Sequence, residues 1–167
     1  MFLSLAALTP LFSQRSMQLF TGLGTHYKIM ENSVGVNPGI NGSSLELGVT
    51  RKIAHSFSIF GSLEAGAAGV SNYLSLIAGV DRSYLPGNGT IEITPGLHVV
   101  QGIALLRPNA LYMWGLEEEN LIAYRFDNGS ALGIVIGIRL YAFPGYSDYS
   151  SVYRFLDLTM GVRFRFR

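Results

Sequence analysis

From Leu156 to Arg167 the chain alternates without a break. Leu156, Leu158, Met160, Val162, Phe164 and Phe166 fall on one parity, and Asp157, Thr159, Gly161, Arg163, Arg165 and Arg167 on the other. Successive side chains of a strand point to opposite faces, whereas a helix groups residues three and four apart. Only a strand sorts this run into one apolar and one polar face, and such a strand must separate two different solvents.

The same split recurs upstream. Met17, Leu19 and Leu23 oppose Gln18, Gly22, Gly24, His26 and Lys28; Leu45, Leu47 and Val49 oppose Glu46, Gly48, Thr50 and Lys52. Phe57, Ile59, Leu63 and Ala65 oppose Ser58, Ser62, Glu64 and Gly66; Leu74, Leu76, Ala78 and Val80 oppose Ser75, Gly79, Asp81 and Ser83. Ile91, Ile93, Leu97 and Val99 oppose Glu92, Thr94, Gly96 and His98; Leu132, Ile134, Ile136, Ile138 and Leu140 oppose Gly133, Gly137, Arg139 and Tyr141. A shorter run, Asn120 to Phe126, sends Ile122, Tyr124 and Phe126 one way and Arg125 the other. Eight strands result.

Turn chemistry orders them. Pro86-Gly87-Asn88-Gly89 and Asp127-Asn128-Gly129-Ser130 are tight hairpin sequences, since Asn and Gly tolerate positive φ. Ile53-Ala54-His55-Ser56 makes a third short connection. Between these, Ile29 to Gly42 and Gly102 to Glu118 read as long loops, Pro144 to Ser151 as an intermediate one, and Val70 to Tyr73 as a short exception. Short turns at one end and longer loops at the other fit an up-and-down meander whose ends face different compartments.

Parity does not say which face is inside, and composition decides it. Hydrophobic residues are 49% of the chain and charged ones 14%, against about 25% charged in a typical soluble domain. No window supplies the roughly 20 apolar residues of a spanning helix; Ala131 to Phe143 is too short and carries Arg139. An eight-stranded barrel has an interior that side chains just fill. The polar parity fits there if its charges pair: Glu46, Glu64, Asp81, Glu92 and Asp157 with Arg125, Arg139, Arg163 and Arg165, as a structural lumenal network. The apolar parity then faces lipid, with Tyr27, Tyr84, Tyr124, Phe126, Phe143, Phe164 and Phe166 as interfacial girdles. The reading is all-β: an eight-stranded antiparallel up-and-down transmembrane β-barrel over residues 15–167, expected as a monomer. A soluble barrel with the faces exchanged, lining a ligand pocket, is the alternative.

With this architecture and its final strand, Phe155 to Arg167, the chain resembles the small eight-stranded outer-membrane β-barrel proteins of Gram-negative bacteria, the OmpX-, Ail- and OmpA-type class. Members often end on an aromatic residue; here Phe166 is penultimate. The resemblance implies an outer-membrane location with both termini periplasmic, outer-membrane lipid and lipopolysaccharide around the barrel, and the barrel-insertion machinery as a partner during assembly. Met1 to Gln14, MFLSLAALTPLFSQ, resembles the later part of a secretory signal peptide and is expected to be removed.

Chemistry is sparse. Twelve basic against eleven acidic residues give a net charge of +1, which argues against nucleic acid as a partner. The absence of Cys excludes thiolate sites and cysteine nucleophiles. His26 and His98 share the lumenal parity and His55 sits in a turn. The Glu117-Glu118-Glu119 run is expected near the outer rim, as a solvated loop base or a divalent-cation contact to lipopolysaccharide. No catalytic, cofactor-binding or metal-binding residue is assigned. The leading expectation is a structural or surface-interaction role through outer loops; a lipid A-modifying hydrolase or acyltransferase and a narrow channel are the alternatives.

Overall fold

Eight strands follow one another: β1 (Met17–Glu31), β2 (Gly39–Lys52), β3 (Phe57–Ala68), β4 (Ser71–Arg82), β5 (Ile91–Leu106), β6 (Asn109–Arg125), β7 (Ala131–Phe143) and β8 (Tyr153–Arg165). The computed structural model describes residues 17–31, 39–68, 71–106, 109–143 and 153–166. The expected signal segment and most of the Pro144 to Ser151 connection lie outside them. Each strand pairs antiparallel with the next, and β8 pairs with β1. Closure leaves no strand edge, as a hydrocarbon surrounding demands.

Register sets the tilt. Stepping across partners from Phe20 through Gly48, Ser62, Ile77, Val100, Gly115, Tyr141 and Phe155 returns to β1 at Glu31, eleven residues further on. One of the eleven is taken up by the irregularity between Lys28 and Met30. A stagger of about ten over eight strands corresponds to strands tilted about 40–45°.

The two faces sort as alternation requires, with the apolar one outside. Leu23 and Leu76 are 67% and 65% exposed, while His98 and Glu117 are each 1% exposed. Aromatic side chains border the apolar exterior at both ends. Phe57, Tyr84, Tyr124, Phe126, Phe164 and Phe166 gather at the end where the described chain starts at Met17 and stops at Phe166 (the termini end), where Arg82 packs over Phe57 and Tyr84. Tyr27, Tyr112 and Trp114 stand outward at the other end. Trp114 and Tyr124 are ten residues apart on β6, about 33 Å along the strand and about 25 Å along the tilted barrel axis, the height of a lipid-facing band.

The turns at the termini end use the residues the sequence offers. Gly87, Gly89 and Gly129 take φ of 62°, 76° and 85°. Asn88 Oδ1 accepts the Thr90 N–H at 3.1 Å, and Asn128 Oδ1 accepts the Ser130 N–H at 2.9 Å.

One expectation is corrected. Gly102 to Glu118 is not a long loop: β5 continues to Leu106, β6 begins at Asn109, and the two pair along their whole length. The alternation is masked because β6 does not segregate polarity. Met113 and Leu121 point inward, while Glu118 and Asn120 point outward.

Candidate functional site

The inward faces assemble a layered ionic interior. All nine residues of the expected network lie on them, Glu46 and Arg125 half-buried and the rest buried. At the termini end, Arg165 donates to both oxygens of Glu92, at 3.0 and 2.6 Å, and Arg125 stands 3.9 Å from Glu92. These residues line a vestibule of about 200 Å³ together with Gln18, Lys52, Ser58 and Asp81.

Deeper in, aromatic rings close the section. Phe60 stacks on Phe20 at 5.1 Å and on the His98 imidazole at 4.3 Å, with an interplanar angle of 12° to the latter. The Arg163 guanidinium lies over Phe20 and Phe60, at 4.6 and 5.1 Å. It donates to both oxygens of Glu119 and, at 2.7 Å, to Glu46, which also accepts from Ser62 at 2.6 Å. Order along the strands places this layer between two spaces. Gln18 and Ser58 line the vestibule, while Gly22 and Glu64, beyond Phe20 and Phe60, line a cavity of about 40 Å³.

Around that cavity Arg139 bridges two carboxylates, Glu64 at 2.5 Å and Glu117 at 2.9 Å, and also donates to Tyr141 at 3.0 Å. His26 Nε2 meets Glu64 and Ser44 at 3.2 Å each and the Tyr73 hydroxyl at 2.8 Å. His98 connects the layers, with Nε2 2.8 Å from Asp81 and Nδ1 3.9 Å from Glu117. Asp157 faces Arg139 across the β7–β8 ladder.

Glycines of the polar parity make the room. A Cβ at Gly96 would lie 2.6 Å from His98 Nε2, and one at Gly79 would lie 2.5 Å from His98 Cδ2. A Cβ at Gly66 would meet the Tyr73 ring at 2.5 Å. In a barrel this narrow each large inward side chain needs a bare backbone beside it.

The acidic run is the second correction. Glu117 and Glu119 are buried in the lumen, at 1% and 6% exposure, and only Glu118 points out. Three consecutive acids look like the base of a loop, whereas the alternation continued from Ile122 back to Tyr112 puts Glu117 and Glu119 on the inward parity. The inward aromatics Phe20, Phe60 and Tyr73 also escaped sequence reasoning, being apolar residues on the polar parity.

Two chemistries can be tested on this geometry. Ser44, His26 and Glu64 come together, but a Ser–His–acid triad places hydroxyl and carboxylate on different ring nitrogens. Here Nε2 serves both, and His26 Nδ1 has no hydrogen-bond partner. His98, Glu117 and Glu119 offer three metal-ligand atoms within 4.8 Å of one another. Each of the two carboxylates is already held by a guanidinium, of Arg139 and Arg163 respectively, so a cation would have to displace two buried ion pairs.

No protein-family model matches the chain, and no curated protein matches its sequence. Solved structures do match in shape. Neisserial surface protein A superposes with a TM-score of 0.60 at 13% identity, covering 90% of this chain and 97% of that one. Ail, the attachment invasion locus protein of Yersinia pestis, gives 0.51 at 12% identity over 90% and 99% of the two chains. The outer membrane protein OprG from Pseudomonas aeruginosa gives 0.50 at 11% identity over 91% and 96%. With its closed antiparallel meander, apolar exterior and ionic interior, the chain has the fold of the small eight-stranded outer-membrane β-barrels.

Proposed function

We propose that the chain is an integral protein of the bacterial outer membrane, without enzymatic activity, that holds a closed barrel in the bilayer and meets its surroundings through the end opposite the termini. Supporting this is one combination: an apolar exterior about 25 Å tall around a lumen occupied by ion pairs and stacked rings. Met17 and Phe166, the first and last described residues, lie at the short-turn end, where Phe166 N–H donates to Leu19 C=O at 2.8 Å. We place that end in the periplasm. Outer-membrane lipid and lipopolysaccharide then surround the two aromatic belts, and the insertion machinery meets β8 with its outward Phe164 and Phe166. At the end opposite these residues β1 and β8 are neighbours, Glu31 pairing with Phe155, and we place contact with a surface ligand at the connections that follow β1 and precede β8.

A lipid A-modifying activity is the competing reading, and Ser44, beside His26, is the hydroxyl it would have to use. The experiment compares lipid A masses from cells with and without the protein, alongside outer-membrane fractionation and gel mobility of unheated against boiled samples. The expected result is unchanged lipid A, outer-membrane recovery and a heat-dependent mobility shift. A new lipid A mass that disappears in Ser44→Ala would overturn the non-enzymatic reading; a chain soluble and folded without detergent would overturn the membrane reading.

A further inference from the structure

The vestibule at the termini end lies below the ring layer of Phe20 and Phe60, and its walls differ in chemistry. Its two carboxylates stand on β4 and β5, and both are engaged. Asp81 lies 2.8 Å from His98 Nε2, and Glu92 accepts from Arg165 through both oxygens and from the Thr94 hydroxyl at 3.1 Å. Donors stand on β1, β2 and β3 instead. Gln18 is opposite Thr50 in the β1–β2 ladder, Lys52 is opposite Ser58 in the β2–β3 ladder, and all four line the vestibule. None of these four side chains has a hydrogen-bond or ion-pair partner among the described residues. Thr50 is only 9% exposed, and a hydroxyl so buried is ordinarily hydrogen-bonded. Charge divides in the same way. Three cations, Lys52, Arg125 and Arg165, line the space against the two carboxylates. Arg165 is matched by Glu92, Arg125 stands 3.9 Å from that same carboxylate, and Lys52 has no counter-ion. A recess with low-dielectric walls and a surplus of one sign concentrates ions of the other.

We propose that the vestibule binds a small oxyanion of the phosphate class against the β1–β3 wall. An ammonium can only donate, and the two hydroxyls and the carboxamide beside it each have a donor to offer. Donors converging from four positions suit an acceptor that carries oxygens on every side, which a tetrahedral phosphate does and a planar carboxylate does not. Lys52 supplies the charge at the mouth, Ser58 donates beside it, and Thr50 and Gln18 donate from one step deeper. Arg125 faces the ion from the opposite wall, and Arg165 stays with Glu92. A volume of about 200 Å³ holds such an ion together with waters, each of which takes about 30 Å³. On the orientation proposed above the mouth opens to the periplasm; the site itself depends only on the barrel.

The test is calorimetric titration of the detergent-refolded chain with sodium phosphate at pH 7, against sodium chloride at equal ionic strength. The expected result is one phosphate per barrel with a Kd of about 1 mM or tighter. Lys52→Gln with Thr50→Val should weaken binding at least about tenfold. Lys52 is exposed at the end of β2, so Lys52→Gln alone should weaken binding while the unheated band keeps its barrel mobility. Arg82→Gln removes a cation at the same end from the outward face, where Arg82 packs over Phe57 and Tyr84, and should leave the Kd unchanged. No phosphate heat beyond the chloride control would overturn the proposal. So would a loss in Arg82→Gln equal to that in Lys52→Gln, the mark of a general charge effect, or acetate binding as tightly as phosphate. A chain soluble and folded without detergent would instead strike the membrane reading and leave the titration to decide the site.

Discussion

Arg165 and Glu92 face each other across the lumen from β8 and β5, three strands apart, through two hydrogen bonds of 3.0 and 2.6 Å. Such pairs tie together strands that never share a ladder, so the interior braces the barrel across its section as well as along its wall. Arg139 does the same deeper in, reaching Glu64 on β3 across the lumen, while its second carboxylate, Glu117, is its neighbour in the β6–β7 ladder.

Removing Arg139 is expected to be severe. Arg139→Met leaves Glu64 and Glu117 buried with no guanidinium between them, at a cost of about 3–5 kcal/mol. Urea titration of the unheated barrel band measures it. Combining Arg139→Met with Glu64→Gln and Glu117→Gln should recover most of the loss, because no uncompensated charge then remains. Arg165→Met should cost less, since its pair opens on the vestibule.

The glycines separate space from conformation. Gly96→Ala puts a methyl 2.6 Å from His98 Nε2 and should break the His98–Asp81 hydrogen bond, destabilising by about 1–3 kcal/mol. At Gly61 a Cβ meets nothing within 4 Å, so Gly61→Ala should be neutral or slightly stabilising. The same urea titration compares the two, and equal effects would refute the packing account.

Phe60 tests whether the lumen is closed by its ring layer. Phe60→Ala should cost about 3–5 kcal/mol and join the vestibule to the inner cavity. In planar bilayers the unsubstituted barrel is expected to show no steady conductance, and Phe60→Ala a small one. Steady conductance from the unsubstituted protein would favour a channel.

The β6–β7 turn depends on a left-handed residue. Gly129 has φ of 85°, so Gly129→Ala should destabilise by about 1 kcal/mol and slow refolding into vesicles, followed by the appearance of the fast-migrating band. Asn128→Ala should act in the same direction by removing the acceptor of the Ser130 N–H and hydroxyl.

Much of this was legible in the residues themselves. Period-two alternation is local, so β8 could be read from Leu156 to Phe166 alone, and the lumenal side of Arg139, Arg163 and Arg165 followed from parity. The strand count, the hairpins at Gly87–Gly89 and Gly129, and the choice of lipid for the apolar face needed no tertiary information. Parity states which face a side chain occupies. It does not state what stands opposite, because partners such as Arg165 and Glu92 are 73 residues apart in sequence and meet only through the curvature and stagger of the closed sheet. The tertiary structure therefore decided the pairing of the ions, the stacking of Phe60 on His98, and the extension of β6 through the Glu117-Glu118-Glu119 run. That run misled because the polarity of a β6 residue does not track its face: Glu117 and Glu119 are placed by ion pairs inside, and Glu118 by the pleat alone.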